Sequence, residues 1–105
     1  MERSDAAVVL GVSGEVDMLT AEELKAVVVE ALDQRPAVVV IDLLGVGFIG
    51  SAGLAVLVEA QQRATEHTRL RVVAAGSVTL RPLQITGLDV ALEVYPTRAA
   101  ALNAD

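Results

Sequence analysis

Apolar residues in this chain fall in short blocks. Their spacing switches repeatedly between a period near two and a period of three to four, as in alternating strands and helices. Ala6 to Val16 reads as one or two strands, broken at Gly11 and at Ser13-Gly14. Thr20 then opens a helix. Thr20 and Glu23 have the spacing of a capping box, and Leu19 and Leu24 that of a hydrophobic staple. Leu24, Val27, Val28, Ala31 and Leu32 make one helical stripe, which Gln34-Arg35-Pro36 ends. Val38-Val39-Val40-Ile41 is a continuous β-branched run, expected in a parallel strand covered on both faces. Asp42 to Gly50 reads as a glycine-containing turn, and a second helix follows from Ser51 to about Glu66, with Leu54, Leu57 and Val58 inward. Leu70 to Ala75 is the next strand. Ser77 or Thr79 is expected to cap a short helix that Gly87 stops, with Pro82 near its first turn. Val90 to Tyr95 reads as a last strand and Thr97 to Ala104 as a terminal helix. Strand-helix alternation of this kind implies an α/β layer whose ligand loops lie beyond the carboxyl ends of the strands.

Composition narrows the function. With 105 residues and no linker-like tract or repeat, residues 1–105 are expected to form one domain. There is no cysteine, which removes disulfides, thiolate metal sites and a cysteine nucleophile and is consistent with a reducing, cytoplasmic setting. The start, Met1-Glu2-Arg3-Ser4-Asp5, is charged and unlike a secretory signal, and no apolar run approaches the ~20 residues of a membrane helix. The net charge of −6 argues against nucleic acid, and the aromatic residues are limited to Phe48 and Tyr95. A protein partner is the expectation.

The densest motif surrounds Ser51. Gly45-Val46-Gly47-Phe48-Ile49-Gly50 has the literal spacing of a dinucleotide-binding turn. That chemistry needs an acid about 20 residues on, near the end of the next strand, where Val73-Ala74-Ala75-Gly76 offers none. A P-loop needs lysine where Ser51 stands, and a nucleophile elbow needs glycine in place of Ile49. The one histidine, His67, is expected on the same helix as Ser51, roughly 24 Å away along the axis. A Ser-His catalytic pair is therefore not expected, nor is enzymatic activity, a cofactor or a metal. Ser51 itself has two readings. It can be a plain N-cap, or a hydroxyl at a helix N-terminus that accepts a phosphate.

The segment Asp42-Leu43-Leu44-Gly45-Val46-Gly47-Phe48-Ile49-Gly50-Ser51-Ala52-Gly53-Leu54 resembles the signature of STAS domains of the anti-sigma factor antagonist branch. In that family a strand ending in Asp-Leu leads to Phe-(Ile/Met)-Asp-Ser-(Ser/Thr)-Gly-Leu at a helix start. Gly14-Glu15-Val16-Asp17, the Thr20-Ala21 helix start, Ile85-Thr86-Gly87-Leu88 and Thr97 to Ala101 are similar to further family elements in the same order. The resemblance implies an α/β fold with a small mixed, largely parallel sheet, about four helices and the order β-β-α-β-α-β-α-(β)-α. It also implies a function. Such proteins bind an anti-sigma factor that has serine kinase activity and so free a sigma factor. Phosphorylation of the serine that maps to Ser51 ends binding, and a separate serine phosphatase restores it. The implied partner-binding residues are Glu15, Asp17, Gly50, Ser51, Ala52, Gly53, Leu54 and Leu88, with ATP belonging to the kinase. Two positions depart from the pattern: Gly50 replaces the family acid and Ala52 the second hydroxyl residue. Loss of the acid removes both a charge that could orient a kinase and a repulsion that would oppose a phosphate. It also sustains the alternative of a constitutive, unphosphorylated STAS adaptor in another complex, such as one for lipid transport. Asp17 has a plainer reading, shaping the turn before the helix.

Overall fold

The β-branched run at Val38 to Ile41 forms the centre of the sheet. In the computed structural model, which describes residues 2–4, 6–64 and 66–104, the elements are β1 (Glu2–Ser4), β2 (Ala7–Val16), α1 (Ala21–Asp33), β3 (Val38–Ile49), α2 (Ser51–Arg63), β4 (Arg69–Val73), α3 (Gly76–Ile85), α4 (Leu88–Ala91), β5 (Glu93–Tyr95) and α5 (Arg98–Asn103). The five strands lie in the order β1-β2-β3-β4-β5. The β1–β2 pair is antiparallel and the other three are parallel. This is the mixed, largely parallel α/β sheet expected. The extra helix is the single turn α4, which takes the first two residues of the segment read as strand Val90 to Tyr95.

Side-chain alternation assigns the two faces. Val8 and Leu10, Val39, Ile41 and Leu43, and Leu70 and Val72 join one core with Leu24, Val28, Ala31 and Leu32 of α1, Val56, Leu57 and Ala60 of α2, and Leu83 of α3. The intervening Val9, Val40 and Val73 turn to the other face, where Ala101 of α5 closes over them. That short helix is tied down at several points. Thr97 caps it by accepting the Ala100 N–H at 3.0 Å. Arg98 Nε donates to Asp42 Oδ2 at 3.0 Å, and its Nη1 donates to Glu2 at 3.0 Å. Buried Arg71 donates to the Ala101 carbonyl at 2.8 Å.

Several local expectations give way to tertiary contacts. The glycine run expected as a turn is strand: β3 continues to Ile49, paired with β2 as far as Val16. The register steps from Gly11–Asp42 to Ser13–Gly45 and from Gly14–Val46 to Glu15–Phe48, so β3 carries one extra residue at each β-bulge. A Cβ on Gly45 would lie 3.0 Å from the Val12 carbonyl oxygen. The glycine there serves close strand approach, not reversal. The capping box does not form, because Thr20 Oγ1 donates to the Glu15 carbonyl at 2.7 Å and accepts the Asp17 N–H at 2.9 Å. Leu19 is 85% exposed, so there is no staple, and Val27 is the exposed margin of the α1 stripe. On α2, Leu57 is buried as expected, Leu54 and Val58 are half-buried, and the helix stops at Arg63. The α3 helix starts at Gly76, and Thr79 bonds back to Ala75 from within it. Pro82 lies inside that helix, not in its first turn. Gly87 takes the left-handed backbone (φ 77°) that separates α3 from α4.

Candidate partner-binding site

The end of β3 and the start of α2 place Ser51. Gly50, in extended conformation, is the helix N-cap, and Ser51 is the first helical residue. The serine is therefore not the N-cap that the sequence suggested; the turn is fastened by backbone instead. The Gly50 N–H donates to the Val16 carbonyl at 2.9 Å, tying the end of β2 to the helix start. The Gly50 carbonyl accepts the N–H groups of Gly53 and Leu54 at 3.0 and 3.1 Å. Ser51 is exposed, at the end of a helix where backbone N–H groups and the positive dipole end favour an anion.

Around it lies a shallow depression of about 300 Å3, lined by Asp17, Met18, Phe48, Gly50, Ser51 and Ala52. Met18 is 84% exposed and Phe48 50%. The Phe48 ring leans over Gly50: a Cβ added there would meet its Cε2 at 3.2 Å. Sequence reasoning passes over Met18 and Phe48 as contact residues. Met18 sits outside any helical stripe, and Phe48 follows a glycine run that reads as a turn. Neither has a period to mark it.

One acid, Asp17, lines the depression, and a second is paired across the strands with Phe48. Glu15 is exposed and is the register partner of Phe48. Asp17 Oδ1 accepts the Leu19 N–H at 2.9 Å and the Thr20 N–H at 3.0 Å. These bonds, that from Thr20 foremost, hold its carboxyl below the usual aspartate range. The turn-shaping reading of Asp17 is thus met by geometry, and its charge still borders the depression.

Other residues of the expected set point elsewhere. Gly53 is buried, and a Cβ on it would lie 2.6 Å from Val16 Cγ1 and 2.8 Å from Ile49 Cγ1. Its lack of a side chain lets the first turn of α2 press onto the ends of β2 and β3. Leu54 and Leu88 are half-buried against the core, and α4, which carries Leu88, contacts α3 and β5. Asp42 is buried; its Oδ1 accepts the Leu44 N–H at 2.9 Å while Oδ2 receives Arg98.

The alternative chemistries find no geometry. The segment Gly45 to Ile49 is paired strand, not a phosphate-cradling loop. His67 lies off α2, in the turn before β4. Since Arg69 pairs with Val38 at the start of β3, His67 is at the opposite end of the sheet from Ser51. Among the described residues no cluster of His, Asp and Glu could hold a metal ion, and no helix is long and apolar enough to cross a membrane.

Residues 1–94 match the family model described as Mlab, STAS domain. The chain belongs to the STAS domain family. Among curated proteins this STAS domain is similar to the anti-sigma-F factor antagonist RsfB of Mycobacterium tuberculosis, 38% identical over 95 residues, covering 90% of this chain and 78% of that one. Among solved structures it is similar to an anti-sigma factor antagonist from Mycobacterium paratuberculosis, at 40% identity and a TM-score of 0.93, covering 96% and 86% of the two chains. The unphosphorylated form of the anti-sigma factor antagonist SpoIIAA shares the fold, with a TM-score of 0.72 at 13% identity over 94% of this chain and 87% of that one. The sheet order and the bulged approach to Ser51 are accordingly properties of this STAS domain's fold, and what its surface recognises is a matter of the residues around that serine.

Proposed function

We propose that this STAS domain is an anti-sigma factor antagonist that binds a kinase-type anti-sigma factor through the depression beside Ser51, and that phosphorylation of Ser51 ends the complex. The observation that carries this reading is an exposed serine hydroxyl on the first turn of α2, in a depression lined by the apolar side chains of Met18 and Phe48 and by the acid Asp17, with exposed Glu15 paired across the strands with Phe48. The similarity to RsfB and to the Mycobacterium paratuberculosis antagonist supports it. In this reading the domain is a regulatory binding protein of the cytoplasm, the kinase supplies ATP, and a separate phosphatase resets Ser51.

The helix N-terminus tolerates a phosphate within the free domain. In a close-packed interface the same group, at about −1.5 to −2 charges, must shed water beside Glu15 and Asp17, which repel it. Ala52 lies in the contact depression with Ser51. Gly53 and Leu54 act by fixing the helix start against the core, and Leu88 by packing. The test is to incubate the chain with its cognate anti-sigma kinase and ATP and to map the phosphate. Modification of Ser51 with loss of the complex is the expected result; modification elsewhere with Ser51 untouched overturns it.

The second reading is a constitutive STAS adaptor, favoured by one feature: Phe48 covers Gly50, where the family pattern has an acid. Capture of the domain's partners from its own cells separates the two, since the adaptor reading requires that no kinase-type anti-sigma factor is retained.

A further inference from the structure

Beyond Asp42 the sheet narrows to a ribbon. β4 pairs with β3 as far as the Asp42–Val73 pair, whereas β2 and β3 stay paired up to Val16 and Ile49. The far end of this ribbon leads into Asp17 on one strand and into the Gly50–Ser51 turn on the other. Its helix-covered face is seated on the core through Leu43, Val46, Val16 and Ile49. Its base is the weak place. The first bulge there sets Leu43 and Leu44 opposite Val12, and a bulge interrupts the ladder.

Arg98 of α5 spans that base from the opposite face. Gly11 and Asp42 are the last register pair before the bulge, and the guanidinium meets both. Its Nε and Nη2 lie 3.0 and 2.9 Å from Asp42 Oδ2, and a Cβ on Gly11 would stand 3.3 Å from its Nη2. Asp42 passes the contact on, since its Oδ1 accepts the N–H of Leu44, inside the bulge, at 2.9 Å. One carboxylate thus ties the C-terminal helix to the kink in β3. Without the guanidinium, buried Asp42 would hold an uncompensated charge. It would turn toward water and give up the Leu44 N–H.

We infer that Arg98 is a positioning residue for the Ser51 face. It acts through Asp42, holding the first bulge in one geometry and so fixing where the far end of the ribbon presents Phe48, Gly50 and Ser51. The inference rests on the reading of that face as the docking surface for the anti-sigma partner. It adds that α5, at the other end of the ribbon, tunes the affinity there.

The test compares Arg98→Gln, Asp42→Asn and Ala101→Gly in the full chain, at a temperature where all are folded. Ala101→Gly loosens α5 over Val9, Val40 and Val73 and leaves Asp42 its arginine. In amide NMR spectra of the free domain, Arg98→Gln should move Leu44 and Gly45 and also Gly50 and Ser51. Ala101→Gly should leave Gly50 and Ser51 in place. In calorimetry with the anti-sigma partner, Arg98→Gln should weaken binding roughly threefold to tenfold, and Ala101→Gly should not. The double variant Arg98→Gln/Asp42→Asn should lose no more affinity than the weaker-binding single one. Unmoved Gly50 and Ser51 resonances in Arg98→Gln, equal effects of Ala101→Gly, or additive losses in the double variant would each overturn the inference. So would full affinity of Arg98→Gln for a partner that Ser51→Glu binds weakly. If Ser51→Glu and Arg98→Gln both bind fully while the Ser51 resonance has moved, the docking reading fails and the positioning of Ser51 stands.

Discussion

The Phe48 ring lies against Gly50, with Cε2 3.2 Å from where a Cβ would stand. A side chain at position 50 therefore presses on Phe48 in its present pose, and the ring must give by a few tenths of an ångström. Since Phe48 is half exposed, the ring can swing outward at little cost. Gly50→Asp is expected to change folding stability by less than about 1 kcal/mol while moving the Phe48 ring resonances. An unchanged Phe48 environment in that variant would refute the coupling.

Phe48→Ala tests the rim directly. An exposed aromatic side chain bordering a contact depression is the kind of residue that anchors an interface. Loss of about tenfold or more in affinity for the anti-sigma partner is expected, with a stability change within about 0.5 kcal/mol. Calorimetry for binding and urea unfolding for stability separate the two quantities.

Ser51→Ala should bind the partner as the unmodified domain does and resist release by kinase and ATP. Ser51→Glu should bind at least about tenfold more weakly. Equal affinity of Ser51→Glu and the unmodified domain would remove the charge-switch mechanism and leave the docking face standing.

Gly53→Ala should destabilise the domain by about 1–3 kcal/mol, read from chemical denaturation. Alanine is the better helix former by up to ~1 kcal/mol. Its Cβ, however, would stand 2.6 Å from Val16 Cγ1 and 2.8 Å from Ile49 Cγ1, both on buried β-branched side chains that are stiff at χ1 and packed in the core.

The Asp17 carboxyl is held below its unfolded value by the N–H groups of Thr20 and Leu19. A depressed acid stabilises the fold above its unfolded pKa, about 3.9, and loses that contribution as pH falls through the folded value. Asp17→Asn should therefore flatten the acid limb of the stability profile below about pH 4 and leave the shape near neutrality unaltered. Unfolding curves from pH 2 to pH 7 for both proteins check this.

Much of this architecture was legible in the residues. The β-branched run at Val38 to Ile41 marked a strand buried on both faces, the Leu24-to-Leu32 stripe marked α1, and Ser51 was placed at a helix start. What was not legible depended on contacts that no period marks, some local and some with partners remote in sequence. Gly45 punctuates a chain read alone, yet here it allows β3 to lie close on β2. Thr20 and Glu23 have the spacing of a capping box, yet the carboxylate of Asp17 takes the Thr20 and Leu19 N–H groups and the Glu15 carbonyl takes the Thr20 hydroxyl. Met18 and Phe48 became visible as a rim only once the ends of β2 and β3 lay side by side.

The two bulges in β3 have a consequence for where the serine points. Each inserts one residue and so reverses which side of the sheet the side chains beyond it take. Because there are two, the reversals cancel. Leu10 and Ile41 share the helix-covered face before them, and Val16 and Ile49 share it again after them. Deleting one inserted residue would leave the strand half a period out of phase. Ile49 would turn away from Gly53, and the first turn of α2 would keep only Val16 beneath it.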